Sequence, residues 1–186
     1  MADFKEHVAG KINAHNEWYV SSQFSWAERD EMRQIYLDRS DYFKRILKEK
    51  HKDAGQISLL DYGCGDGYWT HFFSRLNYCS KIVGVDYNKL RIGRAQEKVK
   101  NAVFFVDDLN NDLSYLGKFD VIFCSQVIEH IPDDEIFLKK LKQHLNTGGI
   151  LILGTPNEGS HLHRLNYFIH KNVKTESDHF RYYTFL

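Results

Sequence analysis

Five short apolar runs recur through the middle of the chain, and segments with helical spacing lie between most of them. The runs are Ile57-Ser58-Leu59-Leu60-Asp61, Lys81-Ile82-Val83-Gly84-Val85-Asp86, Ala102-Val103-Phe104-Phe105-Val106, Phe119-Asp120-Val121-Ile122-Phe123-Cys124 and Gly149-Ile150-Leu151-Ile152-Leu153. Short runs that are apolar nearly throughout read as strands buried on both faces. Residues 89–100 and 132–146 carry helical spacing, and a further helical segment is expected from the glycine cluster at 63–67 to Asn77. Pro132 suits a first helical turn, where its missing N–H costs nothing. Asn146-Thr147-Gly148-Gly149 reads as a helix stop followed by a tight turn. Alternating strands and helices predict an α/β fold, with a parallel sheet, right-handed crossovers and helices on both faces. Ligands of such sheets bind beyond the carboxyl ends of the strands, so the residues after each run are the ones to read for chemistry.

The rest of the chain is less regular. Residues 1–24 are polar, rich in Asn, His and aromatics, and read as an arm or lid. Ser25-Trp26-Ala27-Glu28 has capping-box spacing, and Met32, Ile35, Tyr36, Tyr42, Phe43, Ile46 and Leu47 continue an amphipathic helix to about Lys50. The expected organisation is an N-terminal arm and helix over 1–52, on the lid or substrate side, and an α/β domain over 53–186. At 186 residues this is one domain, or one domain with an appendage. Twenty-five basic residues balance 25 acidic ones, which argues against a large phosphate-tracking surface and makes nucleic acid a minor partner. Cys64, Cys79 and Cys124 are too scattered for a disulfide framework, a zinc CxxC pair or an iron–sulfur cluster; free thiols suit a cytoplasmic location. No signal-like N-terminus and no apolar run of about 20 residues is present, so membrane insertion is not expected.

The first run ends in Asp61-Tyr62-Gly63-Cys64-Gly65-Asp66-Gly67. Alternate glycines let the backbone turn sharply and approach a ligand, and a following helix start offers unpaired N–H groups. A plain strand-to-helix turn is the alternative. The spacing departs from the dinucleotide GxGxxG, with Tyr68 in place of the third glycine, and no GxxxxGK[ST] phosphate loop exists. Bulky Tyr68 and Trp69 at the helix start are expected to hinder a pyrophosphate, which favours a nucleoside without phosphates and disfavours a nicotinamide dehydrogenase. Asp86 closes the second run, placed to accept both ribose hydroxyls. Asp107-Asp108-Leu109 closes the third, where a carboxylate meets an exocyclic amine and a leucine packs on a base. Helix capping and turn formation remain the alternative roles for these acids.

Taken in order, the segments from Leu59 to Gly67, then Gly84-Val85-Asp86, Asp107-Asp108-Leu109, Phe119-Asp120-Val121-Ile122 and Gly148-Gly149-Ile150-Leu151-Ile152, resemble the motif series of class I S-adenosylmethionine-dependent methyltransferases. The resemblance covers residues 57–157 and implies a Rossmann-like twisted sheet. It implies that Gly63, Cys64 and Gly65 wrap the methionine part of S-adenosylmethionine, with Asp61 orienting that loop and approaching the amine. It assigns Asp86 with Tyr87 to the ribose, Asp108 with Leu109 to the adenine, and Ser125 with Gln126 to the cofactor's methyl end.

The segment Cys124-Ser125-Gln126-Val127-Ile128-Glu129-His130-Ile131-Pro132 resembles the Glu-His-(Ile/Val)-Pro stretch of the subgroup that includes ubiquinone-type O-methyltransferases and glycan methyltransferases. His130 is the candidate general base and Glu129 its orienting partner, or the two fix the loop before the helix. A small-molecule or glycan acceptor follows. The small-RNA 2′-O-methyltransferases carry Glu-x-x-Glu-His here with a metal; Gln126 replaces the first Glu, so no metal is expected. An RNA enzyme would use Lys139, Lys140, Lys142, Arg164, Lys171 and Lys174. The end, with His179, Arg181, Tyr183 and Thr184, resembles the segment before the family's last helix, and the family's final strand hairpin is expected to lie in further sequence. His161, His163, His170 and His179 are expected on the surface or a lid. A non-catalytic cofactor-binding module is the third reading.

Overall fold

The computed structural model describes residues 30–107, 113–156 and 183, with side chains of the first helix described from 37 to 52. That helix, α1, spans Asp30–Ala54. Its expected start at Ser25 lies outside the described residues, and its end runs past Lys50. It stops at Gly55, whose φ of 72° is left-handed and whose N–H returns to the His51 carbonyl at 2.8 Å. β1 (Ile57–Tyr62), α2 (Tyr68–Ser74), β2 (Cys79–Asp86), α3 (Lys89–Lys98), β3 (Val103–Val106), β4 (Phe119–Ser125), α4 (Asp134–Gln143) and β5 (Leu145–Gly154) follow. The strands form one parallel sheet in the order β3-β2-β1-β4-β5. This is the α/β, Rossmann-like fold expected from the alternation of runs. The order reverses between β1 and β4, so the crevice for a ligand opens where those two strands end.

Both faces are covered. Phe43 and Leu47 of α1 and Phe73 of α2 pack with Leu59, Ile82, Val121 and Phe123 on one face. Phe137 and Leu141 of α4 pack with Leu60, Val83, Val85 and Ile122 on the other. α3 places Ile92 and Ala95 on Phe104 of β3. Much of the chain's aromatic content sits in the first layer, where the rings of Phe43, Trp69 and Phe73 surround Phe123 at centroid distances of 5.0–5.7 Å.

Three local expectations are corrected. The helix after the glycine loop is only Tyr68–Ser74, because Arg75 and Leu76 turn back onto the Phe72 and Phe73 carbonyls. Pro132 precedes α4 rather than opening it; Asp133 is the cap, its carboxylate accepting the Ile136 N–H at 3.0 Å. Asn146-Thr147-Gly148-Gly149 is no turn between elements but an irregularity inside β5, where pairing jumps from Phe119–Leu145 to Val121–Ile150. That irregularity places the Asn146 side chain on Asp120 and the Gly148 carbonyl on Lys50, at 2.9 and 2.5 Å. Among the described residues no helix is long and apolar enough to cross a membrane.

Candidate cofactor and active site

Beyond β1 the backbone enters a left-handed series at Gly63, Gly65 and Gly67, with φ of 76°, 55° and 82°. At Gly63 the space requires glycine for a further reason, whereas at Gly65 the close neighbour is the movable tip of Arg91. A Cβ on Gly63 would stand 2.2 Å from Val127 Cγ2, and one on Gly65 would stand 2.1 Å from Arg91 Nη2. The Gly63 and Cys64 N–H groups both donate to the Val85 carbonyl, at 2.7 and 3.0 Å, which laces the loop to the end of β2.

Asp86 holds that lacing together. Its side chain is buried, and its two oxygens accept the Gly65 N–H at 2.9 Å and the Asn88 N–H at 2.8 Å. One carboxylate therefore joins the glycine loop to the start of α3. Each oxygen accepts along only part of its lone-pair capacity, so this role leaves room for ribose hydroxyls. Tyr87, next along, is 39% exposed.

Asp61 is 2% exposed and accepts the Thr70 hydroxyl at 2.5 Å, pinning the end of β1 to α2. Burial is the main cause that pushes its carboxyl up, to about 7; the Thr70 bonds oppose the rise and the neighbouring Asp86 charge adds to it. Cys64 lies beside this pair, and burial, then the Asp61 and Asp86 charges, push its thiol up. It is an inert packing thiol rather than a nucleophile.

At the end of β3 the Asp107 N–H donates to the Asp86 carbonyl at 3.0 Å, and the Tyr115 hydroxyl donates to the Asp107 carboxylate. Asp108 and Leu109, the expected adenine partners, lie outside the described residues. At the end of β4, Ser125 leads into Gln126, the single described non-glycine residue at positive φ, 59°. Its N–H is held by the Gly154 carbonyl at 2.7 Å. Left-handed backbone at a glutamine is strained, and here the ends of β4 and β5 together enforce it. Val127 then packs on Gly63, which brings the Ser125–Gln126 turn against the glycine loop.

Glu129 and His130 occupy a single 3₁₀ turn, Ile128–His130, directly after this contact. Glu129 is 1% exposed, and its Oε2 accepts the Thr155 hydroxyl at 3.2 Å, bridging the segments after β4 and β5. His130 is half-buried beside it. Burial that deep suits Glu129 to orienting the turn, and leaves the imidazole as the group nearer solvent.

Several contributors were not anticipated. Thr70 has no spacing rule linking it to Asp61. Asp66, Arg91 and Arg94 form an ion triad under the loop, at Nε–O distances of 3.3 and 2.6 Å, for which arginines three apart on a helical segment were the available signal. The Trp69 indole turns into the aromatic layer against Phe43, at 5.0 Å, and against Tyr68, also at 5.0 Å. Among the described residues no group of three or more His, Cys, Asp or Glu side chains is placed to hold a metal ion.

A family model described as a methyltransferase domain matches residues 29–184. The chain belongs to this methyltransferase family. The family is that of class I S-adenosylmethionine-dependent methyltransferases, as the motif series implies. Curated relatives include a malonyl-[acyl-carrier protein] O-methyltransferase of Bacillus cereus, 33% identical over 59% of this chain and 41% of its own length. A ubiquinone biosynthesis O-methyltransferase of Rickettsia prowazekii is 26% identical over 77% of the chain and 56% of its own length. A tRNA U34 carboxymethyltransferase of Campylobacter jejuni is 36% identical over 59% of the chain and 39% of its own. The chain thus spans about half the length of the curated relatives it matches. The fold matches the N-methyltransferase NodS of Bradyrhizobium japonicum, solved with S-adenosylhomocysteine, with a TM-score of 0.60 at 20% identity, over 78% of this chain and 73% of that one.

Proposed function

We propose that this protein transfers a methyl group from S-adenosylmethionine to an oxygen or nitrogen of a small-molecule or glycan-type acceptor. The observation that carries the reading is the pair of buried carboxylates, Asp61 and Asp86, at the glycine loop on the strand-order reversal. Two buried acids, with the Asp86 charge adding to the rise at Asp61, suit a cationic group and disfavour a pyrophosphate. The donor set therefore fits a cofactor bearing a sulfonium and an ammonium. When bound, S-adenosylmethionine supplies an electrophilic methyl, so the protein need mainly align the acceptor and exclude water.

The residues divide that work. Gly63, Cys64 and Gly65 bring backbone to the methionine part, and Asp61 fixes their entry from β1. Asp86 and Tyr87 take the ribose side, Asp108 and Leu109 the adenine, and Ser125 and Gln126 the methyl end. His130 removes the acceptor proton, with Glu129 orienting its turn. Residues 1–52 cover the acceptor side, and 53–186 hold the cofactor. Two relatives are named O-methyltransferases, one of malonyl-[acyl-carrier protein] and one of ubiquinone biosynthesis, which supports oxygen as the target. Three free cysteines support a reducing cytoplasm.

Radiolabelled S-adenosylmethionine offered with panels of phenols, carboxylic acids, amines and glycans tests the reading. Label in a small acceptor, largely lost in His130→Ala, is the expected result. Binding of S-adenosylhomocysteine without label in any acceptor would favour a non-catalytic module. The tRNA-named relative supplies a second reading, and label in tRNA with salt-sensitive binding would favour it.

A further inference from the structure

The glycine loop is gripped from α3 as well as from the strands. Asp66 stands between Gly65 and Gly67, and its carboxylate turns onto α3. Arg91 Nε donates to Oδ2 at 3.3 Å and Arg94 Nε to Oδ1 at 2.6 Å. The Asp66 side chain is 7% exposed and the arginines 21% and 32%, so water screens this triad far less than a surface pair. The same Arg91 guanidinium fills the space where a Gly65 Cβ would stand. One residue on, a Cβ at Gly67 would lie 2.9 Å from Ala95 Cβ, so the loop rests directly on α3. Asn88 completes the grip: its side chain caps α3 at the Leu90 and Arg91 N–H groups, while its own N–H holds Asp86.

The need for such a grip follows from the loop's composition. Glycines have the largest conformational freedom to lose on ordering, and three alternate here. A loop of that kind left to itself would spend the cofactor's binding energy on its own ordering, and preorganisation removes that cost. The Val85 carbonyl and the Asp86 carboxylate hold residues 63–65, and the Gly67 N–H closes the turn on the Cys64 carbonyl at 2.9 Å; the triad holds Asp66, the residue between them, from α3.

We propose that Asp66, Arg91 and Arg94 are positioning residues for the cofactor, holding the glycine loop in its receiving shape from α3 without touching the ligand. This rests on the methyltransferase reading. A triad acting through loop shape affects every ligand the loop wraps, so S-adenosylmethionine and its neutral product S-adenosylhomocysteine should weaken together. A triad acting as a direct charge on the ligand would change their ratio.

Titration calorimetry on wild type, Asp66→Asn, Arg94→Gln and Arg94→Lys, each with both ligands well below its Tm, tests this. Asp66→Asn should weaken both ligands about tenfold, the scale of a lost charge-assisted hydrogen bond. Arg94→Gln should weaken both by a smaller common factor, and Arg94→Lys should recover most of the affinity. Folded Asp66→Asn and Arg94→Gln proteins that bind both ligands as wild type does, even with a lowered Tm, would overturn the proposal and leave a purely structural triad. A changed ratio between the ligands would overturn it as well. Should Asp66→Asn not fold, the half-exposed Arg94 variants decide alone. Absence of binding by wild type is a different outcome, and it removes the methyltransferase reading itself.

Discussion

At the entry end of the sheet, Asp120 of β4 accepts the Ser58 N–H at 2.9 Å, the Ser58 hydroxyl at 2.7 Å and the Asn146 amide at 2.9 Å. At the exit end, Asp61 of the neighbouring β1 accepts from Thr70 and faces Asp86. Both are carboxylates at a strand terminus, but their surroundings oppose. Around Asp120 three donors and the Lys50 charge outweigh burial and hold its carboxyl below the usual range. Around Asp61 burial and a like charge outweigh its donors. The entry end is a closed network that stabilises the sheet. The exit end buries two carboxylates, and burial itself holds Asp61 towards its neutral form; a strongly shifted acid at a strand end is what distinguishes it as the candidate binding end.

The largest effect should come from breaking the exit end's backbone. Gly63→Ala combines a left-handed residue with a methyl 2.2 Å from Val127, and about 2–4 kcal/mol of stability should be lost in urea unfolding. Asp120→Ala should cost about 1–3 kcal/mol by orphaning the Ser58 and Asn146 donors, while leaving S-adenosylhomocysteine affinity unchanged. A stability loss at Asp120 accompanied by lost binding would break the division between the two ends.

pH separates the ends by sign. For Asp61 the folded value, about 7, exceeds the ordinary 3.8, so between those values the unfolded chain has released a proton that the folded one keeps. Its contribution is complete below about 4 and is lost as pH rises towards 7. Asp120 is shifted the other way: its contribution is present above the ordinary value and is lost as acid takes the pH down through the lowered one. Asp61→Asn should flatten the stability profile between pH 4 and 7, and Asp120→Asn should flatten only its acid limb. Identical profiles would contradict the contrast. The smallest effect belongs to Gln126→Gly, which relieves the 59° backbone and should stabilise by less than about 1 kcal/mol while slowing methyl transfer.

The legible features share a cause. β1, β2, β3 and β4 stand within two residues of their apolar runs; for β1, β2 and β4 the cause is cover on both faces, while edge strand β3 is apolar although Val103 and Val106 are exposed. Gly63, Gly65 and Asp86 were readable because a glycine series and an acid at a strand end are local signals. What was not readable depends on contacts between distant segments. Asn146 and Gly148 look like a turn until Asp120 and Lys50 are seen to hold them inside β5. Trp69 looks like a site residue until Phe43, from a helix 26 positions earlier, is found against it. Asp86 reads as a ribose ligand, and nothing local tells that it also clamps Gly65 to Asn88. The Asp61–Thr70 bond likewise appears only when α2 packs beside β1.

The central claim is that the exit end accommodates an adenosyl sulfonium and refuses a dinucleotide. Titration calorimetry of the folded protein with S-adenosylmethionine and with NAD tests it most directly. The account predicts saturable binding of S-adenosylmethionine, weakened by about 1–3 kcal/mol in Asp86→Ala, and no binding of NAD. Silence towards S-adenosylmethionine at millimolar concentration, or saturable binding of NAD, would contradict it.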